Sequence, residues 1–327
     1  RILLAAVIVT LLLPACSVLQ TASPTAPPTA SVTASPQASP SATLPPENTA
    51  TPQPVPTAEP FTPTPAPTLP VPDHQIRILI LGSDIREDNS FRTDVIMLLT
   101  INPREGTASV VSFPRDLYIY MPGWGFSRIN VVQYRGFDVM ADMFEMNFGV
   151  RPQYYVMTNF AGFLNIIDSL GGIDVVVAEE MTDKCDLPHM DREGNCTVRP
   201  GTVRMDGQYA LWYVRSRKST SDFDRQRRAQ EVIQGIFRRL LSLEGVRRAP
   251  EIYQQFSGSA ETNLDLQTVL SLAGVIPSLT QEGRIRRYQL GIQNVYPMID
   301  GEGAAVLYPD LPSIRAIIEE AVQNTTP

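Results

Sequence analysis

The residues from Tyr213 to Gln230, YVRSRKSTSDFDRQRRAQ, gather five arginines (Arg215, Arg217, Arg225, Arg227, Arg228) and Lys218 around two carboxylates, Asp222 and Asp224. The chain as a whole carries a net charge of -7, so this local cationic excess needs a cause. A guanidinium stays charged at any biological pH and offers a planar fork of donors that fits phosphate or carboxylate oxygens two at a time. Arg215 and Arg217 close an apolar run; in extended backbone both side chains would leave on one face. Arg225 and Arg228 would share a face if a helix begins near Asp224. Two such pairs aimed at one point make a site for a multiply charged anion such as a pyrophosphate. The competing reading is a solvated helix start laced with ion pairs, and on this segment alone both stand.

Three further places put charge at the ends of apolar runs. Gly82-Ser83-Asp84-Ile85-Arg86 follows one run, Arg92-Thr93-Asp94 precedes the next, and Phe113-Pro114-Arg115-Asp116 ends a third. If the first two runs are neighbouring strands, the loop from 83 to 93 brings Asp84 and Asp94 to one edge of the sheet. Two carboxylates there suit Mg²⁺, which takes hard oxygen ligands and keeps waters that phosphates can replace. Taken singly each aspartate reads as a turn residue. Their joint placement at strand ends, where ligands of α/β sheets sit, favours a site.

The elements that must position these groups are strands alternating with helices. Arg77–Gly82, Asp94–Ile101 and Ala108–Phe113 read as buried strands, with a hairpin turn over 102–106. Leu117–Met121, Gln153–Met157, Ile173–Val177 and residues 285–291 read as further strands. Helical spacing covers 132–148, Phe160–Leu170, 248–256, 265–276 and 312–323. Asp224–Leu243 is the longest helix, with Val232, Ile233, Ile236, Leu240 and Leu243 on one face. The expected class is α/β: a central mixed sheet covered on both faces, a three-layer α/β/α sandwich.

That domain is expected over residues 73–327, and what precedes it is different material. Ile2–Leu13 is an apolar run too short to span a bilayer as a helix but of the length of an export signal. It ends in Leu13-Pro14-Ala15-Cys16, similar to a bacterial lipobox, so residues 1–16 are read as an export signal with Cys16 as the lipidated residue. Residues 17–72 form a Pro/Thr/Ser/Ala-rich tether; Thr21 to Pro72 holds 16 of the 29 prolines and carries just Glu47 and Glu59 as charges. Such a stretch buries no core and reads as a semi-extended spacer. The protein is therefore expected outside the cytoplasm, anchored at the outer face of the membrane. There Cys185 and Cys196 are expected to close a disulfide, with a metal site that includes His189 as the alternative reading. A histidine triad has no support, since His74 and His189 are the two histidines and His74 ends the tether. A nucleic-acid partner is excluded on the same footing, because the basic residues are local and the domain is acidic.

Taken together, Gly82-Ser83-Asp84-x-Arg86, Arg92-Thr93-Asp94, Ser112-Phe113-Pro114-Arg115-Asp116, Arg128-Ile129-Asn130, Leu170-Gly171-Gly172-Ile173-Asp174 and Tyr213-Val214-Arg215-Ser216-Arg217 ending in Asp222-x-x-Arg225-x-x-Arg228 resemble, in that order, the LytR-CpsA-Psr family. The resemblance spans residues 76 to 245. It implies an α/β/α domain with a hydrophobic pocket for a polyprenyl tail. It also implies transfer of a glycopolymer from an undecaprenyl-pyrophosphate carrier onto peptidoglycan through a phosphodiester, with Mg²⁺ and release of undecaprenyl phosphate. Carried over position by position, Asp84 and Asp94 would bind Mg²⁺. Arg86, Arg92, Arg115, Asn130, Arg215, Arg217, Asp222, Arg225 and Arg228 would bind the pyrophosphate, and Arg115, Asp94 and Asp116 are the candidates for chemistry. Two positions depart from the family pattern: Ala229 stands where glutamine follows the arginine, with Gln230 next, and Val131 stands where histidine is common. Two alternatives accompany this reading: an extracytoplasmic pyrophosphatase with water as acceptor, and a non-catalytic wall protein that binds anionic polymer.

Overall fold

The computed structural model describes residues 63–85, 91–216, 221–242, 253–254, 256, 258–279 and 281–323. The signal, with Cys16, and most of the tether lie outside the described residues. Among those described, no helix is long and apolar enough to cross a membrane.

A six-stranded sheet organises the domain. Its strands are β1 (Ile76–Ile85), β2 (Phe91–Asn102), β3 (Thr107–Ser112), β6 (Tyr154–Thr158), β11 (Glu261–Thr262) and β12 (Ile285–Gln289), in the order β11-β6-β1-β2-β3-β12. β1 runs antiparallel to β2 and parallel to β6, while β3 runs antiparallel to β2 and parallel to β12. The sheet is therefore mixed. The central strands are apolar throughout because both of their faces are covered. Leu79, Leu81, Ile96, Leu98 and Val111 face helix α1 (Phe137–Phe148) and the C-terminal helix α7 (Leu311–Val322). Alternate residues Ile78, Met97, Leu99, Ile101 and Val110 pack the other way, against α4 (Asp222–Ser242) and α5 (Leu266–Ala273). The short helix α6 (Ile276–Leu279) completes that layer. The result is a three-layer α/β/α sandwich.

A second apolar cluster lies beside the sheet. There α2 (Phe160–Ser169), α3 (Gly207–Arg215) and α4 cover the two-stranded ribbon of β7 (Ile173–Val177) and β10 (Gly201–Met205). A hairpin of β8 (Met181–Lys184) and β9 (Asn195–Val198) leaves this region, and Cys185 and Cys196 are joined across its loop. β4 (Tyr118–Met121) pairs with β5 (Gly125–Arg128), and β13 (Val295–Ile299) pairs with β14 (Ala305–Pro309).

Three expectations need correction. The run before Arg215 is not extended: Gly207–Arg215 is a helix whose first turn is capped by Asp206, the carboxylate accepting the Tyr209 N–H at 2.8 Å. The segments 83–85 and 91–93 are strand rather than loop, since β1 and β2 keep pairing out to Ile85 and Phe91. Ordered packing also begins before residue 73. Ala66 is buried and its N–H donates to the Met146 carbonyl, while the Leu69 N–H donates to the Gly149 carbonyl. Proline leaves few N–H groups in this stretch, and these two find partners at the end of α1. Gly149 there has φ 75°, and a Cβ on it would meet the Pro67 carbonyl oxygen at 2.1 Å, so only glycine fits.

Candidate functional site

The pairing of β1 with β2 contains an irregularity that matters for chemistry. Register passes from Gly82↔Val95 to Ser83↔Thr93, so Asp94 is an extra residue on β2 where the register shifts. A bulge of this kind re-aims a side chain. Asp94 and Asp84 both line one cavity of about 750 Å³. Asp84 stands across from Arg92 in the ladder, and its Oδ1 accepts the Arg92 backbone N–H at 2.8 Å.

Arginines approach the same place from three other elements. Arg115, delivered by the Pro114 turn after β3, donates from Nη1 to Asp94 Oδ1 at 3.0 Å and from Nε to Asp116 Oδ2 at 3.3 Å. Asp116 is in turn 3.6 Å from Arg128 Nη1. Arg215, the last residue of α3, lines the cavity with its guanidinium carbon 4.3 Å above the Phe160 ring. Arg225, in the first turns of α4, lines it too.

The start of α4 is set by a reciprocal cap. Ser221 donates its N–H and hydroxyl to Asp224 Oδ2 at 2.8 and 2.7 Å, and the Asp224 N–H donates to Ser221 Oγ at 3.2 Å. Burial raises the Asp224 pKa, but the Ser221 hydrogen bonds and the Arg227 and Arg228 cations outweigh it, and the carboxyl is held below its ordinary 3.8. Across α3 and α4, Tyr213 Oη donates to Glu231 Oε2 at 2.6 Å, which fixes the spacing between Arg215 and Arg225.

Not every arginine of the segment reaches the cavity. Arg228 is 1% exposed and donates to the Ser216 carbonyl at 2.6 Å, just past the end of α3, with its guanidinium 5.8 Å from the Tyr213 ring. Burial pushes its pKa down. It ties α3 to α4 instead of lining the void, since a side chain i+3 from Arg225 on a helix this closely packed meets the next helix. Arg227 fits the ion-pair reading: it pairs with Glu231 at 2.8 Å and Glu179 at 3.1 Å. Asn130 is buried behind the site; its carbonyl accepts the Thr93 hydroxyl and its N–H donates to the Arg115 carbonyl. Arg86 and Arg217 lie outside the described residues, as does the side chain of Asp222.

One departure from the expected pattern lies at the site itself. Ala229 lines the cavity, and Gln230 points elsewhere, donating to Ser112 Oγ at 2.7 Å and the Tyr288 carbonyl at 3.0 Å. Gln230 therefore does not stand in for the missing glutamine.

Next to the charged mouth lies a second, apolar cavity of about 340 Å³ that shares Ile80, Leu81, Thr158, Phe163 and Ile233 with it. Its walls are the lower face of the sheet (Ile78, Leu99, Ile101) and α4 and α5. Sequence periodicity marked these residues as apolar but could not tell a filled core from a lined hollow. It also missed the residues that the hairpin and α3 bring to the mouth: Asp183, Lys184, Asp186, Gln208 and Trp212. The N-cap Asp206, followed by Ala210, Tyr213 and Val214 at helical spacing, was the signal that could have found α3.

Among the described residues no group of three or more His, Cys, Asp and Glu is placed to hold a metal. Two carboxylates lining one water-accessible cavity with arginines beside them do suit Mg²⁺, which is commonly held by one or two carboxylates together with substrate phosphates.

A family model described as the LytR_cpsA_psr family matches residues 50–320. TagT of Bacillus subtilis (strain 168), a polyisoprenyl-teichoic acid–peptidoglycan teichoic acid transferase, is 32% identical over 208 residues, 62% of this chain and 64% of that protein. TagU of Bacillus cereus (strain AH820), which carries the same description, is 32% identical over 193 residues, 58% of this chain and 60% of that one. The chain thus spans less than two thirds of the length of these curated relatives. Among solved structures, B. subtilis TagV superposes with a TM-score of 0.64 at 23% identity, over 76% of this chain and 97% of that one. A structure of TagT bound to LIIa-WTA gives 0.58 at 25% identity, over 77% and 91%.

Proposed function

The chain belongs to the LytR_cpsA_psr family, and we propose that it is a phosphotransferase that moves a glycopolymer from an undecaprenyl-pyrophosphate carrier onto peptidoglycan. The observation that carries this reading is a pair of adjoining cavities, with shared walls and two different chemistries. Asp84, Asp94, Arg215 and Arg225 line the charged mouth, and an aliphatic hollow lies next to it. A pyrophosphate with an isoprenoid tail is the ligand class that needs both in that order.

In the reaction, an acceptor hydroxyl oxygen attacks the phosphorus next to the sugar. A new P–O bond forms as the bond to the bridging oxygen breaks. The bridging oxygen leaves with undecaprenyl phosphate, and the glycopolymer is left on the acceptor through a phosphodiester. Arg215 and Arg225 neutralise the phosphate oxygens as charge builds on them. Arg115 orients Asp94 through their 3.0 Å pair. The proton of the acceptor hydroxyl passes to a carboxylate, and Asp94 is better placed than Asp116 because it lines the cavity. Mg²⁺ would be held by Asp84 and Asp94, and when bound it supplies further positive charge to the phosphates. The apolar hollow keeps the tail and excludes water from that side. An export signal over residues 1–16 with lipidation at Cys16, as the sequence suggests, supports a place outside the cytoplasm at the outer leaflet, where both the carrier and peptidoglycan are within reach.

The test is to incubate the protein with a polyprenyl-pyrophosphate saccharide, Mg²⁺ and peptidoglycan fragments, and to look for the conjugate by mass spectrometry. Free sugar phosphate with no conjugate at any acceptor concentration would identify a pyrophosphatase. No turnover, together with polymer binding lost in Arg215→Ala, would identify a binding module.

A further inference from the structure

One wall of the mouth is used neither by the phosphates nor by the tail. It is built from Asp183, Lys184 and Asp186 of the β8–β9 hairpin and from Gln208 and Trp212 of α3. The hairpin is held against α3 at two points and closed on itself by a disulfide. Trp212 Nε1–H donates to the Lys184 carbonyl at 2.8 Å, the His189 ring lies 4.6 Å from that of Tyr209, and the Cys185–Cys196 disulfide closes the loop between. Cys185 itself lines the cavity, so the covalent link sits in the wall.

The chemistry of this wall fits a third kind of group. Asp183 and Asp186 come from the hairpin and not from the strands and helices that bring Asp84, Asp94, Arg215 and Arg225 to the phosphate end, and an ammonium beside them has no use for an isoprenoid. Acids, an amide and an ammonium together accept from and donate to hydroxyls, and an indole face packs against the C–H face of a pyranose. The polar ends are available: Lys184, Asp186 and Gln208 are exposed, with the Lys184 ammonium bound to the Glu193 carbonyl and two of its protons still to give. We infer that the hairpin and Trp212 form the subsite for the sugar joined to the pyrophosphate, and that the disulfide positions it. This inference rests on the phosphotransferase reading above.

The experiment compares two probes with the full chain: a polyprenyl pyrophosphate carrying a disaccharide and the same lipid pyrophosphate without sugar. The variant K184A/D186A should lose about tenfold in affinity for the sugar-bearing lipid, the equivalent of one charged hydrogen bond, and change by less than about twofold for the bare one. Reduction of the disulfide, or C185S/C196S, should give the same selective loss. Equal losses on both probes, or none on either, overturn the inference. If the cysteine variant does not fold, the surface pair Lys184 and Asp186 decides alone. A wild-type chain that does not bind the bare lipid pyrophosphate instead overturns the parent reading and takes the subsite with it.

Discussion

Replacing Arg228 by methionine keeps most of the side-chain volume and removes the guanidinium. In the structure that group is 1% exposed and donates to the Ser216 carbonyl at 2.6 Å. A charge-assisted hydrogen bond of this kind is worth about 1.5–3 kcal/mol. Relief of a buried cation, whose pKa burial already pushes down, returns part of that. The net loss should be about 1–2 kcal/mol, which at roughly 2–4 °C per kcal/mol lowers Tm by about 2–8 °C. Arg225→Met removes a guanidinium that lines the mouth. It should move Tm less and weaken binding of a lipid pyrophosphate by about tenfold or more, one charged contact's worth. Thermal unfolding and ligand titration on both variants check this. The reverse ranking, with Arg228→Met nearly as stable as wild type and Arg225→Met binding normally, would refute the division of labour assigned to the two arginines.

Asp84→Asn should leave folding intact and abolish Mg²⁺-dependent turnover, and normal turnover at saturating Mg²⁺ removes the metal assignment. Ile233→Trp fills the junction that both voids share; donors with long isoprenoid tails should bind about tenfold more weakly while donors of two or three isoprene units are unaffected, as read by competition binding. Asp224 contributes stability that is fully present above its unfolded pKa of 3.8 and is lost as pH falls through its lower folded value. The Tm gap between wild type and Asp224→Ala should therefore be constant above pH 5 and close at pH values below 3.8, and a gap that persists unchanged into strong acid contradicts the cap.

Much of the architecture was legible because buried strands announce themselves. RILILG and DVIMLLTI can be little else than strands covered on both faces. The charged residues at their ends were legible for the same reason: once the strands are placed, Asp84, Asp94 and Arg115 must lie near the sheet edge. Two things were hidden. One is the bulge at Asp94, which depends on a register that no local spacing encodes. The other is the state of the backbone before Arg215, where tyrosine, tryptophan and valine suggest a strand while the Asp206 cap and tertiary packing make a helix. Arg228 shows the limit of reading charge by type. Its i, i+3 relation to Arg225 is real, yet neighbours that only the fold supplies turn it inward.

The N-terminal segment joins the domain at the C-terminal end of α1, with Leu69 and Val71 packed into the layer formed by α1 and α7. The hollow lies in the opposite layer, between the sheet and α4 with α5. The segment before β1 is therefore fastened on the face remote from the hollow, with the six-stranded sheet in between. Substitutions that loosen this fastening, at Leu69 or Val71, thus act on the α1 layer and leave the walls of the hollow in place.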